Sequence, residues 1–288
     1  MRAAALGLLE RAVDAGFDPV LCTEVCGFNA AGLATALAAR RPGVAVGTAI
    51  LPLGSRTEPT MAMAATTAAQ ISGAPFLLGV GTSSPQIVGD WHGRDHDPSI
   101  DTTRTRLTTL RAVLDGARCG SFRLPVPAGG DVRVLLAALG PNMTALALDA
   151  ADGVILNHTP PALVVDAPDA ALVLAFVWTA AAPDGAVRVR RELTSYVMAA
   201  PYARHYRQLG YGEVVDRVHA LHADGRLRDA PERLPQEMVD AFYVGQDDLA
   251  ARCAAYRDAG AVPIVVPVTG DDPAADISRL LDDRGWEA

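Results

Sequence analysis

Two neighbouring runs decide the fold: Val132-Arg-Val-Leu-Leu-Ala-Ala-Leu-Gly-Pro-Asn-Met143 and Ala151-Asp-Gly-Val-Ile-Leu-Asn-His-Thr159. Val132 to Leu139 is a short apolar run rich in branched residues, as expected of a strand buried on both faces. Gly140 and Pro141 stop it. Proline suits the first turn of a helix, where its missing N–H has no intrahelical partner to lose. The glycine before it permits close approach of a ligand to the backbone, and the free N–H groups of a helix start suit a phosphate or another anion. Read the other way, Gly-Pro is only a turn. Ala151-Asp152-Gly153 then leads into a second apolar run, Val154 to Leu156, which ends in Asn157, His158 and Thr159. The stretch predicts a βαβ unit with polar residues gathered at C-terminal strand ends, where parallel α/β folds bind ligands.

Outward from this unit, strand and helix patterns alternate along the chain. Helices are predicted at Ala3–Ala15, Ala30–Arg40, Pro59–Ser72, Arg104–Leu114 and Asp247–Ala259. A long one covers Ala186–Leu209 with a bend at Pro201, and Ile277–Trp286 closes the chain. Strands are predicted at Phe17–Val25, Val44–Leu53, Pro75–Gly81, Ala171–Ala181 and Val262–Val268. Gly47-Thr48-Ala49 inside one strand signals a bulge or a close backbone approach. Tyr211 to Glu237 reads as a polar segment, and Phe122 to Gly130 as a loop. Seven strands separated by helices over ~250 residues is the pattern of a (β/α) barrel. The chain opens directly in a helix, so the first barrel strand is missing or degenerate.

Composition narrows the function classes. Half of the 288 residues are hydrophobic, mean hydropathy is +0.19, and net charge is −8. An acidic chain of this kind is a poor general partner for nucleic acid. All 25 basic residues are arginine, so no Schiff-base or P-loop lysine is available. The four cysteines include a Cys22-xxx-Cys26 pair, but no second Cys or His pair completes a zinc site; no metal is expected. The longest apolar run, Ala170–Ala182, is too short to span a bilayer, and no leader segment is visible. The expectation is a cytoplasmic, non-membrane protein acting on a small molecule or peptide, with a homodimer as the candidate assembly.

Several motifs carry chemistry. Glu24 is a carboxylate at the end of an apolar strand; it is either a charge near a helix start or a functional group. Thr82-Ser83-Ser84-Pro85 places hydroxyls at another strand mouth. Trp91, His92 and His96 lie in an excursion over these mouths; the histidines lack a metal-ligand pattern of the HExxH kind.

Taken in order, these pieces resemble the luciferase-like monooxygenase superfamily, in its deazaflavin (coenzyme F-420) branch. The residues are Ala15-Gly16-Phe17-Asp18 with Thr23-Glu24, Val46-Gly47-Thr48-Ala49-Ile50, Leu78-Gly79-Val80-Gly81-Thr82-Ser83-Ser84-Pro85 and Trp91-His92-Gly93. They continue with Ala137-Ala138-Leu139-Gly140-Pro141, Ala151-Asp152-Gly153-Val154, Val244-Gly245 and Tyr256-Arg257-Asp258-Ala259-Gly260. The resemblance covers nearly the whole chain. It implies one luciferase-like (β/α)8 TIM-barrel domain over residues 1–288, with the deazaflavin ring at the C-terminal mouth. It implies a non-proline cis peptide at Ala49–Ile50, beside Thr48, supporting the ring. It further implies that Gly81, Thr82, Ser83 and Ser84 line ring and ribityl chain, and that Ala138, Leu139, Gly140, Pro141 and Asn142 hold the tail and phosphate. Asn157, His158 and Thr159 complete that wall; Trp91 and His92 wall the substrate pocket.

Two departures from the family stand out: the absent first strand, and a missing acid–base pair, which shapes the functional expectation. Val25 stands where some sugar-phosphate-oxidising members have histidine, and no glutamate lies near Ser84. Alcohol oxidation is thereby disfavoured and reduction by hydride transfer from reduced F-420 favoured, onto an activated C=C or C=N bond, in a setting such as natural-product biosynthesis. Glu24, in apolar surroundings beside the ring, is the expected proton donor, with loop Tyr or His residues as rivals. The alternatives are a monooxygenase using reduced flavin mononucleotide (FMN) and an inactive binding homologue.

Overall fold

The computed structural model describes residues 2–125, 128 and 131–282. Its first element is a helix, α1 (Arg2–Asp14), and no strand precedes it among the described residues. There follow β1 (Val20–Cys22), α2 (Ala30–Arg40), β2 (Val46–Pro52), α3 (Glu58–Ser72), β3 (Phe76–Gly81) and α4 (Ile100–Leu114). After a small hairpin, β4 (Arg118–Cys119) and β5 (Phe122–Arg123), come β6 (Val132–Ala138), α5 (Pro141–Ala150), β7 (Gly153–Leu156) and β8 (Leu172–Ala180). The remainder is α6 (Gly185–Met198), α7 (Ala200–Gln208), α8 (Gly212–Ala223), α9 (Ala230–Arg233), α10 (Gln236–Phe242), β9 (Tyr243–Val244), α11 (Leu249–Asp258), β10 (Val262–Val268) and α12 (Pro273–Asp282).

The fold is α/β. One sheet runs in the order β1-β2-β3-β6-β7-β8-β10, with β9 on β8. The β1–β2, β2–β3, β3–β6 and β8–β9 pairs are parallel. By its contacts the chain divides into two compact units. The first holds residues 1–155 and 165–174; the second holds 156–164 and 175–288.

In the first unit, β2 and β3 are buried on both faces almost throughout because helices cover the sheet, and so is β6 apart from exposed Arg133. Two glycines set how closely β2 and β3 pack. A Cβ on Gly47 would lie 2.1 Å from the Leu77 carbonyl oxygen, and one on Gly79 would lie 2.0 Å from that of Thr48. No side chain fits in either place. The register slips between Thr48 and Leu51, so the bulge expected from Gly47-Thr48-Ala49 is present. Caps fix the helix starts: Asn29 accepts from the Gly32 N–H at 2.8 Å, and Ser99 from that of Thr102 at 3.3 Å. The turn before β7 is held by Asp152, which accepts from the Val134 N–H at 2.8 Å and from Arg111 at 2.7 Å. Gly153 follows it; a Cβ there would sit 2.0 Å from the Leu172 carbonyl oxygen.

In the second unit, α6 to α10 pack Val189, Leu193, Val197, Tyr206, Val215, Met238 and Phe242 into a core of their own. Several sequence expectations are corrected here. The strand predicted over Phe17–Val25 shrinks to three residues, Val20–Cys22, because the chain turns away from the sheet over residues 23–29. The long helix over Ala186–Leu209 is two helices, divided at Ala199, two residues before Pro201; a proline placed in the first turn of α7 begins a helix and cannot continue one. Tyr211–Glu237 contains α8, α9 and the start of α10: its apolar residues Val214, Val215 and Val218 lie on one buried face beneath a charged exterior. The last part of the predicted Ile277–Trp286 helix lies outside the described residues.

Candidate functional site

Strands β3 and β6 leave the sheet side by side, with Val80 opposite Leu136. Their C-terminal ends therefore bring Thr82, Ser83 and Ser84 beside Leu139, Gly140, Pro141 and Asn142. At this level a Cβ on Gly81 would meet the Ala137 Cβ at 3.2 Å and the Ile50 Cδ1 at 3.3 Å. Ile50, Gly81 and Ala137 thus form one closely packed layer across three strands, and the expected cis peptide at Ala49–Ile50 is present in it. Ala138 is buried below the mouth. Thr48 serves the scaffold: it is fully buried and its hydroxyl donates to the Gly79 carbonyl at 2.9 Å.

The turn from β6 into α5 is built to leave donors free. Gly140 has φ +77, a region that favours glycine, and Pro141 takes the first helical turn. No side chain caps this helix. The N–H groups of Asn142 and Met143 have no acceptor among the described residues, and Asn142 is exposed. A ten-residue helix with an open start suits a phosphate. At the adjacent mouth Ser83 also has positive φ, +61, which turns the chain sharply after β3. Ser84 accepts from the Ile87 N–H at 3.2 Å and starts a π-helical turn, Gln86–Trp91. Such turns recur at functional sites. Trp91 is 45% exposed, and His92 beside it is exposed.

Glu24 does not stand in apolar surroundings. Its Oε2 accepts from the Arg56 guanidinium at 2.6 Å and from the Ala30 N–H, at the start of α2, at 3.0 Å. Its side chain is 11% exposed. The grip continues: the Arg56 carbonyl accepts from Arg106 at 2.6 Å, and Arg106 pairs with Glu58 at 2.6 Å. Two ion pairs thus hold the segment after β2 from both sides. Sequence reading missed Arg56, Glu58 and Arg106, because nothing in the spacing of the chain pairs residue 24 with 56 or 58 with 106.

In the second unit, Asn157, His158 and Thr159 at the end of β7 are pinned one after another. The Asn157 amide accepts from the Trp178 indole at 2.7 Å and donates to the Tyr202 hydroxyl at 2.8 Å. The Tyr256 hydroxyl donates to the Thr159 carbonyl at 2.8 Å. His158, with φ +49, is buried; its Nδ1 meets the Tyr206 hydroxyl at 2.7 Å, and its carbonyl accepts from His205 at 2.8 Å. The rings of Trp178, Tyr196, Tyr202, Tyr206, Phe242 and Tyr243 surround it, the nearest centroid 4.4 Å away. Burial, with a smaller contribution from His205, drives the His158 pKa down to about 3. The imidazole is therefore a neutral core group. The sequence did carry a signal for this cluster: all six tyrosines follow residue 195.

A family described as luciferase-like monooxygenase matches residues 2–262. A Mycobacterium tuberculosis protein named "Putative coenzyme F420-dependent oxidoreductase" is 27% identical, over 95% of this chain and 93% of its own. Among solved structures, the coenzyme F-420-dependent tetrahydromethanopterin reductase of Methanopyrus kandleri superimposes with a TM-score of 0.77 at 18% identity, covering 98% of this chain and 94% of that one. The FMN complex of the oxygenating constituent of 3,6-diketocamphane monooxygenase from Pseudomonas putida gives 0.60 at 14%, covering 98% and 89%. These likenesses establish the barrel fold; the two solved structures differ in cofactor.

Proposed function

The chain belongs to the luciferase-like monooxygenase family, and on that premise we propose that it is an F-420-dependent oxidoreductase, acting as a reductase on an activated C=C or C=N bond. The observation that carries the cofactor assignment is the open start of α5 at Gly140-Pro141, beside the hydroxyl-bearing mouth of β3. The N–H groups of Asn142 and Met143 would receive a phosphate of the cofactor tail. Thr82, Ser83 and Ser84 would face the ring and its side chain, over the layer made by Ile50, Gly81 and Ala137. When bound, the reduced deazaflavin supplies a hydride.

The protein's part is to bind, orient and exclude. Glu24 and Arg56 act as a positioning pair: they fix the exit of β2 against the start of α2, so that Ala49 and Ile50 keep their place. Trp91 and His92 would wall the substrate from the excursion after β3. Neither Arg56, paired with Glu24, nor Arg106, paired with Glu58, is left as a free phosphate clamp for a sugar-phosphate substrate. The experiment is a titration of the purified protein with F-420, followed by oxidation of the reduced cofactor against a panel of enones and imines. Binding and turnover are expected; a protein that ignores F-420 does not have this function.

A further inference from the structure

Beside Thr82, the residues that follow β3 fold back against α4 and close a recess of about 50 Å³. Its wall holds two orphaned polar groups. The Nε2 atom of His96 is buried and has no hydrogen-bond partner among the described residues. The same is true of the Thr103 hydroxyl, in a residue only 1% exposed. A buried polar atom left unpaired forfeits its hydrogen bond to water, so such atoms are rare unless a ligand or a water completes them. The charged groups around the recess narrow what that ligand is. Asp97 has both carboxylate oxygens in use: Oδ1 accepts from the Ser99 N–H at 2.9 Å, and Oδ2 accepts from the Thr102 hydroxyl. Asp95 is exposed, where water screens its charge. Arg106 is committed to Glu58 through Nε and to the Arg56 carbonyl through Nη2. No buried carboxylate oxygen is free to receive a cation, and the two exposed aspartates repel an anion. The free groups inside, an imidazole nitrogen and a hydroxyl, can both donate. They suit a neutral acceptor, and the volume suits one the size of a carbonyl group.

We propose that this recess seats the carbonyl oxygen of an α,β-unsaturated carbonyl substrate, with Thr103 and His96 donating to it, and that His96 supplies the proton of the reduction. This rests on the F-420 reading above and deepens it, because Thr82, which faces the ring on that reading, also borders the recess. Hydride, bringing two electrons from the reduced deazaflavin, forms a C–H bond at the β-carbon. The C=C pair shifts toward the carbonyl carbon, and the carbonyl π pair settles on oxygen as an enolate. Donors fixed at that oxygen stabilise the charge as it develops. The cationic form of His96 gives its Nε2 proton to the oxygen and is left as neutral imidazole. Solvent returns that proton, and the enol becomes the saturated ketone. Glu24, with Oε2 engaged by Arg56 and Ala30, is not required as the acid.

The test reads the recess apart from the cofactor. Cyclopentenone, acetate and protonated pyrrolidine are a neutral acceptor, an anion and a cation of small size. Each is titrated into the cofactor-free protein and followed by NMR of labelled histidine, the His96 signals being identified by their loss in His96→Gln. Cyclopentenone should shift them saturably, and the two ions should not. Thr103→Val is nearly isosteric and removes a hydroxyl that is unpaired in the free protein. Its stability should hold or rise, while cyclopentenone binds about tenfold more weakly. With reduced F-420, His96→Gln keeps a donor at the recess but has no acidic proton to give. Its kcat on cyclopentenone should fall roughly 10²–10⁴-fold with KM little changed, whereas Thr103→Val should raise KM. Unshifted His96 signals, an equal response to either ion, or unchanged cyclopentenone affinity in Thr103→Val overturns the recess. Wild-type turnover in His96→Gln overturns the proton donor. A protein that seats cyclopentenone but ignores F-420 keeps the recess and loses the cofactor reading, and the proton step with it.

Discussion

The Glu24 carboxylate has two partners, a guanidinium and a helix N–H, and this decides what its removal does. In Glu24→Gln the amide keeps an acceptor for Ala30 but leaves Arg56 without its counter-charge in a largely buried place. The expected cost is about 1–3 kcal/mol of stability, as for a hydrogen bond to a charged group. That loss is read as a lower denaturation midpoint. On enone reduction kcat should fall less than about tenfold, whereas loss of a general acid costs roughly 10²–10⁴-fold. A drop of that larger size in a folded variant would return Glu24 to the proton-donor role. Gly140 makes the complementary residue-scale prediction. At φ +77 a branched residue is strained and its side chain stands before the open N–H groups of α5. Gly140→Val should fold, with some loss of stability, and should bind F-420 at least tenfold more weakly, a change of about 1.4 kcal/mol. Unchanged affinity in the folded variant would remove the α5 start from the site.

Among the elements, the end of β7 shows how far sequence can be read. The βαβ unit from Val132 to Thr159 was legible because its strand is apolar but for Arg133 and its stop is a Gly-Pro pair; both follow from local chemistry. That Asn157 and His158 turn inward was not legible. It depends on partners 20 to 85 positions away, from Trp178 to Tyr243, whose rings no local pattern assigns. The same holds for Arg56 and Arg106, whereas the hydroxyls after β3 and the Ala49–Ile50 peptide could be placed by family resemblance. Burial of neutral His158 has a consequence in acid. Its folded pKa is near 3 and its unfolded value near 6.5, so protonation favours the unfolded chain between those limits. This contribution is whole above about pH 6.5. It is lost as pH falls toward 3, at up to about 1.4 kcal/mol per pH unit. His205, also lowered by burial, acts in the same direction. Denaturation midpoints measured from pH 7.5 to 4 should show this slope, and His158→Gln should flatten it. A wild-type midpoint independent of pH would contradict the buried neutral imidazole.

For the whole molecule, the sequence supports one domain, while contacts divide the chain into two compact units. We propose that the units unfold together, because β7 and β8 each contribute residues to both, so neither strand can be lost from one unit alone. Calorimetry should show a single transition with matching van't Hoff and calorimetric enthalpies; two resolved transitions would make them separate domains. Among the described residues no helix is long and apolar enough to cross a membrane, and no cluster of His, Cys, Asp and Glu could hold a metal. What remains is a barrel whose strand mouths carry an open helix start, hydroxyls and a fixed ion pair, an arrangement suited to a phosphate-bearing ring cofactor. The central claim is the identity of that cofactor, and parallel equilibrium titrations of the purified protein with F-420 and with FMN test it most directly. The account predicts saturable binding of F-420, weakened by Gly140→Val, with FMN bound far less tightly. Tight binding of FMN with indifference to F-420 would contradict it.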